Sequence, residues 1–394
     1  MPQANTTASL LCLKTEATMA ALAGGLYQGL QRNGRTFGTA AAIEDNAGRG
    51  LTSVLNVEKA MPNTANTAVE AKIKYMIPRC DESATADVTF DCTIPAKDKP
   101  DYGFERFTFD DHVAEEFSMT AADFDLTCED PNGELAKEVA YRAESMLTKY
   151  NRLLTAKLVA RAGTIFGEAD EANSTNVAPA KLKLFNLENG RSVPQPMGMY
   201  DLEYEYQRQN AGGAVRPVLI GGTKALGAYT ASTALYGGNT EGLDPNDIRN
   251  ALSGAYVDWT LPTTLAGSPA LNPVISFLPD AVQLVEWFEF ANPNKSIAAG
   301  GRTVWAPQPV TGSGQILRQV IDIGTPVYGR PFNVDVQIHF DECTNTVSYK
   351  MKKTFGLFTI PQAAFCGNHN TILLWDAVCE PYNCVDVLGE APVQ

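Results

Sequence analysis

The sequence predicts an α+β fold organised by one long helix and an extended β-hairpin. Three observations carry that expectation. Residues 130–162 hold the longest uninterrupted helical pattern in the chain. Residues 68–109 switch to a period of two, and from Arg330 the texture becomes all-β.

The helix is marked at both ends. Asp130 is a good N-cap, and Pro131 suits a first turn, where its missing N–H costs nothing. Leu135, Val139, Met146, Leu147, Tyr150, Leu153, Leu154 and Leu158 recur at helical spacing and form one apolar stripe. Glu138 stands four residues before Arg142, the favoured order for an ion pair. Lys157 and Arg161 load the last turn, and Gly163 stops it. At 1.5 Å per residue the helix is on the order of 45 Å long, a spine laid across something broad such as a sheet.

Ahead of it, residues 1–57 are rich in small residues, with a short helical pattern through Met19, Leu22, Leu26 and Leu30. Glycine and alanine then dominate, which predicts an extended arm that finds its partner surface elsewhere. From Val69 to Tyr75, apolar residues alternate with Glu70, Lys72 and Lys74; Val88, Phe90, Cys92 and Ile94 alternate with Thr89, Asp91 and Thr93. This reads as a long two-stranded hairpin with one basic and one acidic arm. Opposite charges then pair across the strands or with the next copy of the chain. Such a hairpin is marginal in water and has to lean on a neighbour.

After the spine, residues 197–209 read as a helix and Pro217 to Gly222 as a short buried strand. Residues 217–325 read as short strands alternating with short helices, including a strand at 274–278 and a helix at 279–290 opened by Pro279. Val334, Val336, Ile338 and Phe340 alternate with polar residues, a turn follows Asp341, and Val347, Tyr349 and Met351 return.

Composition narrows the function classes. The chain has 394 residues, 44% hydrophobic and 19% charged, a folded protein with room for two or three domains. Net charge is −14, and its source is local: sixteen Asp or Glu between residues 81 and 134 face only Lys97, Lys99 and Arg106. With no basic block, tight nucleic-acid binding is disfavoured. Eight cysteines scattered over this length do not make a disulfide scaffold. No secretory leader and no membrane-length apolar stretch is evident, so the expectation is a soluble protein made in a cytoplasm.

Catalytic patterns are sparse. The Gly221-Gly222-Thr223-Lys224 run lacks the glycine spacing of a phosphate loop and reads as a tight turn. Asp123, Asp125 and Glu134 imitate a calcium loop, but Cys128 stands where the loop needs glycine. Cys366, His369, Cys379 and Cys384 supply four zinc-type ligands at loose spacing, and buried or free thiols fit them better. His112 beside Asp110 and Asp111 reads as a surface histidine, and the adjacent Glu115 and Glu116 point apart. No catalytic residue, cofactor or metal is assigned.

In this order the elements resemble the major capsid proteins of tailed double-stranded-DNA phages, the Hong Kong 97 fold. The likeness covers residues 58–380. It is carried by the acidic approach FSMTAADF at 117–124 and the spine, by the 197–209 helix leading into RPVLI at 216–220, and by TPVYGRPFNVDVQIHFDEC at 325–343 followed by KTFGLFTIP at 353–361. The resemblance implies an N-terminal arm at 1–57, an extended hairpin loop at 58–110, and a peripheral domain at 111–216 with its spine at 130–162. It further implies an axial domain at 217–325, with 326–394 supplying the closing peripheral strands and the C-terminus. The implied function is a non-enzymatic virion subunit that assembles as pentamers and hexamers into an icosahedral head. Its partners would be copies of itself, portal and scaffolding proteins, a decoration protein, and packaged double-stranded DNA held without sequence-specific binding; no membrane is involved. Lys59, Lys72, Lys74, Arg79, Asp98, Asp101, Glu105, Asp110 and Asp111 become the subunit-interface candidates. An encapsulin-like nanocompartment shell and a secreted or tail-associated adhesion module are the competing readings.

Overall fold

The computed structural model describes residues 37–46, 52–59, 69–76, 102–109, 111–120, 134–162, 180–188, 191–194, 202, 206, 217–222, 254–262, 264–265, 268–269, 272–289, 291–299, 302–307, 316–324, 330–341, 344, 346–360 and 371–380. Strands dominate these residues. The chain divides into two compact units, the first from 1–37, 109–153 and 285–356, the second from 38–108, 154–284 and 357–394.

The first unit is a sheet covered by a helix. Its strands run in the order β12 (Val282–Trp287), β17 (Thr346–Thr359), β16 (Asn333–Asp341) and β15 (Ile316–Asp322), with β4 (Asp111–Thr120) also paired to β17. The β4–β17 register runs unbroken from Thr346 opposite Thr120 to Phe355 opposite Asp111. Alternation therefore assigns faces: Val113 and Phe117 line up with Lys353 and Tyr349 on the buried side, and His112, Ala114 and Glu116 with Thr354, Lys352 and Lys350 on the exposed side. Helix α2 (Glu134–Arg161) buries Val139, Ala140, Ala143, Met146, Leu147 and Tyr150. Each large apolar side chain removed from water stabilises the unit by about 1.5–3 kcal/mol. Tyr150 meets Phe332 and Phe355 edge-on, with ring centroids 5.2 and 4.7 Å apart.

The core of this unit also holds a buried charge pair. Lys353 Nζ lies 2.7 Å from Glu286 Oε1, and both side chains are shut off from solvent. The same ammonium donates to the Asn333 carbonyl at 3.1 Å and sits over the rings of Phe332, Phe288 and Tyr150 at 4.5, 5.2 and 5.4 Å. A hairpin of β13 (Ala291–Ala299) and β14 (Arg302–Pro307) completes the described strands of this unit.

The second unit holds a six-stranded sheet in the order β6 (Arg191–Pro194), β5 (Ala180–Glu188), β18 (Ile372–Glu380), β11 (Pro273–Phe277), β7 (Val218–Gly221) and β8 (Gly254–Val257). Val218, Leu219, Ile220, Val274, Ile275, Phe277 and Ile372 to Trp375 are all buried. Ser276 on β11 ties the layers, accepting from Trp375 Nε1 at 2.8 Å and sharing a 2.9 Å hydrogen bond with the Tyr206 hydroxyl. Burial pushes the Tyr206 phenol far above its ordinary value. A two-stranded ribbon of β9 (Thr264–Leu265) and β10 (Ser268–Pro269) lies in the same unit.

Helix α1 (Gly38–Asn46) packs on β7 and β8, within the stretch read as an arm. Its alanines, which read as featureless in sequence, are strong helix formers and lie buried beside Ile43. Asp258 caps it: Oδ2 accepts from both Thr39 N, at 2.8 Å, and Thr39 Oγ1, and Oδ1 accepts from Thr260 N at 2.7 Å and Thr260 Oγ1 at 2.8 Å. Thr155, in the last turns of α2, donates to Thr39 Oγ1 at 3.0 Å. Gly38 starts the helix because nothing larger fits; a Cβ there would stand 2.2 Å from the Val257 carbonyl oxygen.

Two expectations change. Residues 279–290 are not a helix. Pro279–Ala281 is a single 3-10 turn, and Val282–Trp287 is strand β12, because five consecutive buried residues and the Glu286–Lys353 pair place this segment in the sheet. No helix longer than that turn occurs among the described residues of 217–325. The helix read at 197–209 is described at Leu202 and Tyr206, both helical, buried and four apart. The spine begins at Glu134 among the described residues and carries the expected Glu138–Arg142 pair at 2.7 Å.

Candidate subunit-contact surface

The candidate residues with described side chains centre on a sheet in the second unit. Its order is β1 (Thr52–Lys59), β2 (Val69–Met76) and β3 (Tyr102–Thr108), so three strands replace the expected two-stranded hairpin. The third strand was hidden by an irregularity. The β1–β2 register shifts between Val54 and Asn56, and that bulge breaks the period of two that marks a strand. The second expected arm, 88–94, lies outside the described residues, and the strand across from β2 is Tyr102–Thr108.

The register decides the electrostatics. Lys72 stands opposite Arg106, Lys74 opposite Phe104, and Ile73 opposite Glu105. Between β2 and β3 no carboxylate stands opposite either lysine, and Glu105 belongs to the other face. Each lysine instead reaches diagonally to a ring. Lys74 Nζ lies 3.5 Å from the Tyr102 centroid, and Lys72 Nζ lies 5.3 Å from that of Phe104.

The two faces differ sharply. Ala71 and Ile73 are fully buried, and Tyr75 packs against Phe358 with centroids 5.8 Å apart. Gly103 faces Tyr75, where a Cβ would come within 2.1 Å of the ring. On the opposite face Tyr102 is 42% and Phe104 57% exposed, and Arg106 is exposed beside them.

Of the remaining candidates, Lys59 ends β1 opposite Val69, and Asp111 begins β4 opposite Phe355 in the first unit. Arg79, Asp98, Asp101 and Asp110 lie outside the described residues. Sequence reasoning passed over Tyr102, Phe104 and Arg106. The signal was present as alternation in YGFERF at 102–107, but the acidic stretch before it drew the weight.

The chemistry-bearing candidates sit as follows. Glu115 and Glu116 face opposite sides of β4: Glu115 takes Ser145 Oγ at 2.7 Å, Arg142 at 3.3 Å and Lys149, whereas Glu116 is exposed with Lys350 at 3.6 Å. Burial alone pushes the Glu115 carboxyl up, but the Lys149 and Ser145 hydrogen bonds, with Arg142, hold it below its ordinary value. His112 is exposed and borders an open depression of about 480 Å³ with Val113, Ala114, Lys149, Arg152 and Leu153. Among the described residues no three His, Cys, Asp or Glu side chains gather as a metal site; Cys366, His369 and Cys384 are outside them. No described helix is long and apolar enough to cross a membrane.

No protein-family model and no curated protein matches the sequence. Similar solved structures include a protein of Mycobacterium phage Che8, at 11% identity and a TM-score of 0.38 over 81% of this chain and 92% of that one. The mature capsid of bacteriophage PhiM1 aligns at 9% identity and a TM-score of 0.38, over 79% of this chain and 82% of that one. A virus-like particle from Pyrococcus furiosus aligns at 12% identity and a TM-score of 0.36, over 71% and 82%.

Proposed function

We propose that this chain is a capsid-type shell subunit that associates with copies of itself through the outer face of the β1–β2–β3 sheet. One observation carries the reading: Tyr102 and Phe104 stand exposed side by side on a sheet whose other face is buried. Single exposed apolar residues are ordinary, but adjacent rings on a regular strand, flanked by an arginine, have the composition of a protein contact. The finer reading keeps the Hong Kong 97 arrangement, with α2 as the spine and β1–β3 in the extended loop. It comprises pentamers and hexamers closing an icosahedral head around double-stranded DNA, with portal, scaffolding and decoration proteins as partners. Negative-stain microscopy and mass photometry of the purified chain test it. Rings or closed particles are expected; a homogeneous monomer at high concentration, in every salt and scaffold condition, rejects it.

A further inference from the structure

We infer that the depression between β4 and α2 binds a small phosphate-bearing anion, held by Lys149, Arg152 and His112. The inference concerns the first unit alone and stands apart from the self-association reading above.

Strand register locates the depression. His112 and Ala114 belong to the exposed face of β4 and Val113 to the buried one, and all three line it. A hollow lined from both faces opens at the edge of the strand. One edge of β4 is taken by β17, and no other strand pairs with β4 among the described residues. The hollow therefore lies at the free edge, where backbone N–H groups are open to an incoming acceptor. Lys149 and Arg152 form the opposite wall, three residues apart on α2 and so side by side.

The donors at this edge are in surplus. Arg152 is exposed, and neither it nor His112 makes a hydrogen bond or ion pair among the described residues. Lys149 donates to Glu115, but an ammonium has three protons, and Arg142 and Ser145 already serve that carboxylate. Around the hollow, Arg142, Lys149, Arg152, Lys350 and Lys352 outnumber Asp111, Glu115, Glu116 and Glu138 even before His112 takes a proton. A local excess of positive charge is the exception in a chain of net charge −14.

Size and chemistry select the ligand. A volume of about 480 Å³, with apolar lining from Val113, Ala114 and Leu153 and a few converging polar groups, suits a small molecule. A guanidinium fork beside a compact ammonium and an imidazole matches the oxygens of a phosphate, which the fork can hold by two bonds. An added peptide strand fits less well, because the stretch of β4 that borders the hollow, residues 112–114, spans only about 10 Å, shorter than a usual strand. Duplex DNA is disfavoured by the net charge of −14 and by the lack of a basic block.

The test titrates inorganic phosphate, glycerol phosphate and acetate into the full-length chain by calorimetry at fixed ionic strength. The variants Arg152→Gln and His112→Gln alter exposed side chains, and circular dichroism with thermal melting establishes that they fold. Arg318→Gln, an exposed cation of the same unit outside the depression, is the control. Saturable phosphate binding in the millimolar range or tighter is expected, weakened about tenfold or more in each site variant and unchanged in the control. Tighter binding of glycerol phosphate names a phosphate monoester as the ligand, and tighter binding of inorganic phosphate names the free ion. Acetate bound as well as phosphate, folded site variants that bind like the parent, or no saturation by about 10 mM would each overturn the inference. A short duplex DNA that binds the parent and not the site variants, while phosphate fails to saturate, would give these residues to nucleic acid and overturn it as well.

Discussion

Removing one member of the buried Lys353–Glu286 pair is expected to cost about 3–5 kcal/mol of stability, and removing both is expected to cost little. Unit charges 2.7 Å apart attract by roughly 6 kcal/mol at an effective dielectric of about 20. Taking the two ions out of water costs several kcal/mol each, so the pair is close to neutral as a unit. The Asn333 carbonyl and the three surrounding rings add to the lysine side, the rings by about 2 kcal/mol for a desolvated cation. Glu286→Gln leaves the ammonium inside that cage without its counter-charge, and Lys353→Met leaves a buried carboxylate without its cation. Lys353→Met/Glu286→Leu keeps the volume and deletes both charges. Urea unfolding of the four proteins, with the urea dependence of the free energy unchanged among them, gives the coupling energy. Single variants within about 1 kcal/mol of the parent, or a double variant that loses the sum of the two, would refute the reasoning, since neither is compatible with an ion stranded in a dry core.

The remaining predictions concern smaller features. Gly38→Ala puts a Cβ against the Val257 carbonyl, where backbone has to move, so a loss of about 1–3 kcal/mol is expected by thermal melting. Asp258→Ala strips the α1 cap and leaves Thr39 N and Thr260 N without their acceptor; a loss of about 2 kcal/mol and faster amide exchange across 39–42 are expected, and unchanged exchange would exclude the cap. The Glu115 carboxyl is held below its ordinary value of 4.5, so its contribution is complete above that pH and lost as pH falls through the lower folded-state value. Glu115→Gln should therefore flatten the acid limb of the stability curve below about pH 4.5 and leave the limb above pH 7 unchanged.

The long helix and the closing strands were legible because each shows one solvent-facing and one buried side. Met146, Leu147, Tyr150, Leu154 and Leu158 form a stripe at helical spacing, and Val334, Val336 and Ile338 alternate with Asn333, Gln337 and His339, the exception being Asp335, which is buried and accepts from Glu289 N at 2.8 Å. Segments buried on both sides carry no such contrast. Val282 to Glu286 are buried without interruption, so period could not separate strand from helix, and a proline at the start favoured the wrong one. Helix α1 failed for a related reason: an alanine run has no stripe until β7 and β8 are known to cover it.

The proposed contact surface is half legible in the sequence, and the missing half is physical. Alternation in Val69–Met76 shows that Lys72 and Lys74 share a face, but the residues opposite them depend on the length and path of the connection to the next strand. Placing β3 at Tyr102–Thr108 puts Arg106 and Phe104 across from the lysines, where the sequence pattern invites Asp91 and its neighbours. A one-residue slip would send Glu105 to the lysine face and bury Tyr102 and Phe104 with Ile73. Gly103 resists that slip, since its position beneath Tyr75 has no room for a Cβ. Gly103→Ala therefore probes the surface as well as the fold: Tyr75 has to leave Phe358 or the register has to move, and either change disturbs the ring–lysine pairs on the outer face. A folded Gly103→Ala chain with parental melting and parental assembly would mean that Tyr75 yields freely and that the register is held elsewhere. A loss of about 1–3 kcal/mol together with weakened assembly would tie the proposed contact surface to this one close approach.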